Sequence, residues 1–191
     1  QNQMNMYGQG RVFYILPFTA SINAMYHRLG KEGFGEEKVG MIHGNLNAVL
    51  YKRFFEEEAN IFDIKNNIKN LKETYKTAQT PIKVVTPFQL LKHLFGLKGF
   101  DKGIFEMSGS YFIFDEIHAY DATILAQIMV LLNYCTKELG INVLIMTATL
   151  PTFLKMLIAN EITPYNEIQA SQSLYLNFKR HKILTLKGSI G

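Results

Sequence analysis

Five short runs rich in apolar, β-branched and aromatic residues recur along the chain: Arg11 to Leu16, Val39 to His43, Lys83 to Thr86, Tyr111 to Glu116 and Asn142 to Thr149. A strand with one face in water alternates apolar and polar residues, because successive side chains point to opposite faces. These runs are apolar on both parities, so each needs cover on both faces. A parallel sheet flanked by helices supplies that cover. The intervening stretches Ser21 to Leu29, Leu46 to Thr77, Pro87 to Leu94, Ala122 to Leu139 and Pro151 to Ile158 have helical spacing. Alternation of the two patterns predicts an α/β fold. Gly30, Gly96 and Gly140 stand where C-terminal caps are expected, and the glycines and polar residues from Gly96 to Gly109 predict a loop.

With 191 residues, 48% of them hydrophobic and 19% charged, the chain suits one globular domain and not a disordered tail. Its formal charge of +4 is compatible with phosphate contacts but falls short of a dense basic arm. The one cysteine, Cys135, lies in an apolar helical stretch, which excludes a disulfide framework and a thiolate metal site and predicts a buried, inert thiol. Apolar runs such as Val12 to Leu16 and Val143 to Met146 are strand-length, so neither a membrane span nor export is expected. Glu56, Glu57 and Glu58 followed by Lys65, Lys69, Lys72 and Lys76 predict a solvated helix or helical pair. The first ten residues, rich in Asn and Gln, are expected to fray. Periodicity fades from Thr163 to Asn177 before a strand-like run at His181 to Leu186, as in a linker.

The strongest chemical signal is Tyr111-Phe112-Ile113-Phe114-Asp115-Glu116-Ile117-His118, an apolar strand that ends in two carboxylates and a histidine. In nucleotide hydrolysis, a carboxylate at the end of a central strand reaches hydrated Mg2+ while its neighbour polarises the attacking water. Asp115 suits the first task, through water, and Glu116 the second. Strand ends are also where open α/β sheets bind ligands. The same acids would equally suit the first turn of a following helix, where they complement its dipole. About thirty residues on, the last strand runs into Thr147-Ala148-Thr149-Leu150-Pro151. Hydroxyls there can hydrogen-bond an imidazole and the second carboxylate, and His118 is the natural partner. Thr149 could also cap a helix ahead of Pro151.

Asp-Glu-x-His followed by Thr-Ala-Thr resembles motifs II and III of superfamily 2 helicases. Within that class, Arg11-Val12-Phe13-Tyr14-Ile15-Leu16-Pro17-Phe18-Thr19-Ala20-Ser21-Ile22-Asn23 resembles motif Ia of the CRISPR-associated helicase/nuclease of type I systems. Thr86-Pro87-Phe88-Gln89-Leu90-Leu91 resembles motif Ib, and Ala119-Tyr120-Asp121 extends the likeness of motif II. The similar segments span Arg11 to Leu157. The resemblance implies a RecA-like domain of the P-loop NTPase type, covering residues 1–165, with 166–191 leading toward a second such domain. It also implies ATP and Mg2+ as cofactors, single-stranded DNA and a CRISPR surveillance complex as partners, and a prokaryotic cytoplasmic location. Asp115, Glu116 and His118 would be catalytic, and Thr147, Ala148 and Thr149 would couple hydrolysis to movement. Pro17, Phe18, Thr19, Ser21, Asn23, Thr86, Pro87 and Gln89 would line the nucleic-acid path.

Motifs Ia and Ib each place a strand end before a helix whose first amides are unpaired and can bind a phosphate. Contacts of that kind hold the backbone and imply little sequence preference. Plain capping by Thr86 ahead of Pro87 is the alternative. His43 and Gly44 follow another strand where the family also tends to carry histidine, and a loop histidine without a ligand is the expectation there.

The family's Gly-x-x-x-x-Gly-Lys-Ser/Thr run, whose amides and lysine neutralise nucleotide phosphates, does not occur in the sequence. Gly30-Lys31-Glu32 lacks the hydroxyl and the earlier glycine, and follows a helix instead of a strand. The expectation is therefore a sheet without its first strand and phosphate-binding loop, without the second RecA-like domain and without the nuclease domain. The chain alone is then expected to hydrolyse little or no ATP. Two other readings remain open at this point: a general superfamily 2 RNA or DNA helicase domain, and a non-catalytic fragment that binds nucleic acid or a partner.

Overall fold

The computed structural model describes residues 10–47, 50–52, 61–76, 80–97, 99–162, 164–171 and 173. In chain order the elements are β1 (Val12–Ile15), α1 (Thr19–His27), β2 (Val39–Ile42), α2 (Ile61–Lys76), β3 (Ile82–Val85), α3 (Pro87–Leu94), α4 (Phe100–Met107), β4 (Tyr111–Asp115), α5 (Ala122–Glu138), β5 (Asn142–Met146) and α6 (Thr152–Glu161). The five strands form one sheet in the order β2-β3-β1-β4-β5. Every neighbouring pair is parallel. This is the helix-flanked parallel α/β architecture that the RecA resemblance implied.

Strand parity sends side chains to two cores. Phe13, Ile15, Val85, Phe112 and Phe114 pack with Leu90 and Leu91 of α3, Met107 of α4, the apolar stripe of α5, and Leu154 and Ile158 of α6. On the opposite face, Val39, Met41, Ile82 and Val84 pack with Ile22 and Tyr26 of α1 and with Ile64, Ile68 and Tyr75 of α2. Tyr26 and Tyr75 share a buried hydroxyl–hydroxyl hydrogen bond of 2.8 Å, so two phenols satisfy each other inside this core.

Four expectations are corrected. Coverage on both faces holds for β1 to β3 but not for β5, where Leu144 is 51% exposed. β5 is the edge strand, and the helices packed on its inner face, α5 and α6, leave its outer face open among the described residues. The expected loop from Gly96 to Gly109 contains α4. Its apolar signal is broken by Gly103, which is required because a Cβ there would lie 2.0 Å from Nδ1 of His93. Gly30 does not cap α1: the chain continues through a π-helical turn, Arg28–Phe34, and the positive φ falls at Gly35, at 99°. Gly96 and Gly140 do take positive φ, as expected of helix ends. The last strand stops at Met146 rather than running on to Thr149.

The helical stretch expected from Leu46 to Thr77 is seen as α2 and the turn around Leu46 and Leu50, while Glu56, Glu57, Glu58 and Thr77 lie outside the described residues. So do the frayed start, apart from Gly10, and the strand-like run His181 to Leu186. Cys135 is buried as expected, and burial pushes its thiol up to about 12, which makes it a poor nucleophile. No helix among the described residues is long and apolar enough to cross a membrane.

Candidate functional site

Because all five strands are parallel, their C-terminal ends share one rim of the sheet. That rim carries Pro17 and Phe18 after β1, His43 after β2, Thr86 after β3, Asp115 at the end of β4 and Thr147 after β5. Residues spread over 130 positions of sequence therefore meet on one edge, as binding at strand ends requires.

β4 and β5 hold the acidic end of the site. Asp115 is the register partner of Met146, and the Glu116 amide donates to the Met146 carbonyl at 3.0 Å. Glu116 then adopts a left-handed conformation, with φ 55° and ψ 42°, before a short 3-10 turn over Ile117–Ala119. It is the one non-glycine residue with positive φ among those described. A left-handed L-residue costs about 1–2 kcal/mol, and such strain collects at functional sites.

The two carboxylates do not cap the following helix. Asp121 does, its Oδ1 accepting from the amides of Thr123 at 2.9 Å and Ile124 at 3.0 Å. The helix-start reading of Asp115 and Glu116 is thereby set aside.

His118 ties the two strand ends together. Its Nδ1 lies 2.6 Å from Thr147 Oγ1 and 3.2 Å from Glu116 Oε2. The Thr147 hydroxyl donates its only proton to the Thr149 carbonyl at 2.7 Å. Its lone pair must then accept from His118, which assigns the proton to Nδ1. Thr149 enters this chain through its carbonyl, and Ala148 is the spacer between the two threonines. The alternative reading of Thr149 as a helix cap is not met: Pro151 occupies the N-cap of α6, without a side-chain cap bond.

Asp115 has a partner that sequence reasoning missed. Tyr14 of β1 donates from its hydroxyl to Asp115 Oδ2 at 2.8 Å. Burial first, and then the bond to Asp115, push the Tyr14 phenol well above its ordinary value, so it remains a donor. Tyr120 is also raised, by burial and then by the charge of Asp115, and its buried hydroxyl has no hydrogen-bond partner among the described residues. Tyr14 shares its parity with Asp115 through the Tyr14↔Ile113 register, a signal visible only once β1 is known to pair with β4.

The donor set fits a hydrated Mg2+. That ion keeps several waters and takes one or two carboxylates plus phosphate oxygens, so it needs no dense protein cage. Asp115 and Glu116 are half-buried at an open rim, and no group of three or more His, Cys, Asp or Glu converges here or elsewhere among the described residues.

The motif Ia and Ib residues follow β1 and β3, from the same rim of the sheet. Phe18 is the N-cap of α1 and Thr86 of α3, and neither helix start has a side-chain cap bond. The capping alternative for Thr86 therefore finds no support from its hydroxyl. Thr19 and Ser21 lie half-buried in the first turn of α1, and Pro87 is buried at the start of α3. Gln89 accepts from Lys92 Nζ at 3.0 Å. Phe18 is 57% and Phe88 46% exposed. Asn23 faces His43, whose Nε2 lies 3.2 Å from Asn23 Oδ1. His43 is buried; among the described residues its Nδ1 has no hydrogen-bond partner, and burial lowers its pKa.

The chain is 27% identical over 184 residues to a putative CRISPR-associated nuclease/helicase Cas3 of Methanocaldococcus jannaschii, covering 95% of this chain and 24% of that protein. It is 27% identical over 179 residues to the CRISPR-associated nuclease/helicase Cas3 of Methanothermobacter thermautotrophicus, covering 90% of this chain and 21% of that protein. The chain thus spans about a quarter of the length of these relatives. No solved structure matches it. Residues 2–157 match the DEAD/DEAH box helicase family, which takes in the whole rim from β1 to the start of α6, and the chain belongs to that family.

Proposed function

We propose that this chain is part of an ATP- and Mg2+-dependent DNA helicase that unwinds and moves along target DNA in CRISPR interference, in a prokaryotic cytoplasm. The observation that carries the reading is the link across two adjacent strand ends in which His118 Nδ1 hydrogen-bonds Thr147 at 2.6 Å and lies 3.2 Å from the Glu116 carboxylate. Its likeness to two Cas3 proteins favours a CRISPR role over a general helicase role.

Asp115 would hold the metal through water, with its carboxylate steadied by Tyr14. When bound, Mg2+ neutralises charge on the phosphates and ATP supplies the transferable phosphoryl group. Glu116 would orient the attacking water and take its proton. A change in charge at Glu116 alters the sharing of the His118 proton with Thr147, so the loop after β5 feels the hydrolysis step. Single-stranded DNA crosses the open helix starts of α1 and α3, where Pro17, Phe18, Thr19, Ser21, Asn23, Thr86, Pro87 and Gln89 would contact it. The surveillance complex, a second RecA-like domain and a nuclease domain are the partners this role requires.

The test is DNA-stimulated ATP hydrolysis by the protein as encoded. Asp115→Asn and Glu116→Gln should each abolish turnover, a loss of about 100-fold or more, with circular dichroism unchanged. Retention of DNA-stimulated turnover by either variant would refute the assignment. The 191-residue chain alone, whose sequence holds no Gly-x-x-x-x-Gly-Lys-Ser/Thr run, should show turnover near background.

A further inference from the structure

The family's motif II supplies the acids but does not explain how Asp115 is held. A carboxylate on the last residue of a strand turns freely about its outer torsion, and at an open rim solvent would average its orientation. Tyr14 removes that freedom. It occupies the third position of β1, in register with Ile113 of β4, so its side chain lies on the same face as Asp115 two residues further on. Its ring packs against the core formed by Leu16, Ile22, Val39 and Val84. The phenol is thus anchored in the sheet and donates at 2.8 Å to one oxygen, Oδ2. Among the described residues Tyr14 is the only hydrogen-bond partner of this carboxylate.

We propose that Tyr14 is a positioning residue for the metal-facing carboxylate: by occupying Oδ2 it presents Oδ1 to the hydrated cation. This rests on the reading of Asp115 as that carboxylate. A phenol suits the task because it has few torsions, remains neutral and donates a single bond, so it orients the acid without cancelling its charge. The neighbouring phenol, Tyr120, does not share the task, since its hydroxyl makes no bond to the acid.

Metal binding can be read directly. Mn2+ is titrated by electron paramagnetic resonance into the protein as encoded, with a non-hydrolysable ATP analogue present. Tyr14→Phe, which keeps the ring and deletes the hydroxyl, should weaken Mn2+ about 10-fold, as outer partners of metal ligands do. Nucleotide affinity without metal should be unchanged. In an Asp115→Asn background Tyr14→Phe should weaken Mn2+ no further, because its effect passes through the acid, whereas a general packing defect would add. If Tyr14→Phe binds Mn2+ as tightly as the parent while Asp115→Asn does not, the positioning role is refuted and the proposed function stands. If Asp115→Asn itself binds as the parent does, the assignment of Asp115 falls and this inference falls with it.

Discussion

Replacing Glu116 by glycine should make the fold more stable than replacing it by alanine, which reverses the usual order of the two residues. Both substitutions delete the carboxylate and its contact with His118, at 3.2 Å. That contact joins side chains 33% and 46% exposed, so its loss costs little and costs the same in both variants. What differs is the backbone, held at φ 55°. An L-residue with a Cβ loses about 1–2 kcal/mol there, which glycine avoids. Glycine gives back about 0.5–1 kcal/mol through the greater freedom of its unfolded chain. The remainder favours glycine by about 0.5–1 kcal/mol, or roughly 1–4 °C in melting temperature for a chain of this size. Urea and thermal unfolding of the two variants, side by side, measure the difference. Alanine equal to or more stable than glycine would show that the left-handed turn at Glu116 is not strained, and would remove the argument that this residue is held against its preference for a purpose.

Two further outcomes follow from buried charge. Lys83 is only 1% exposed and pairs with Glu106 at 2.5 Å; burial lowers its pKa while Glu106 opposes that shift. Glu106→Ala should therefore destabilise the fold by about 3–5 kcal/mol in urea unfolding, and the double change with Lys83→Met should recover most of the loss, because an unpaired buried charge is worse than none. A single variant that is nearly neutral would mean that the lysine finds water. His43 and His93 are both held below their ordinary 6.5 by burial, the shift at His93 being partly offset by Glu106. The unfolded chain then binds more protons below 6.5 than the folded one, so stability is complete above that pH and falls as pH drops through it. His43→Gln together with His93→Gln should flatten the dependence of the urea midpoint on pH in that window, and an unchanged slope would assign it to other groups.

The sequence made the strands and the acids legible for different reasons. Each strand showed as a run without alternation, because both of its faces were expected to be covered, and that signal is local. α3 was equally plain, since Thr86-Pro87 opens it and Gly96 follows its end. α4 was not, because the glycine that breaks its pattern answers to a histidine on another helix. The pairing of β1 with β4, hence the bond from Tyr14 to Asp115, is a fact of topology that no local window holds. Burial of His43 was missed for the same reason: its partner, Asn23, comes from a helix that packs across β2 and β3.

These omissions share a direction. Local pattern singled out Asp115 and Glu116 by their chemistry and missed what holds them: the Tyr14 hydroxyl for Asp115 and the Met146 carbonyl for the amide of Glu116. A residue that acts on a ligand is constrained by its own chemistry, which a motif can record. A residue that acts on its neighbour is constrained by register, and register emerges only when the strands assemble. The parallel sheet accounts for both, because it aligns all five strand ends on one rim and brings Tyr14 of β1 within reach of Asp115 at the end of β4. For a site at such a rim, the supporting residues are therefore to be sought on the neighbouring strand, at the parity that faces the acid.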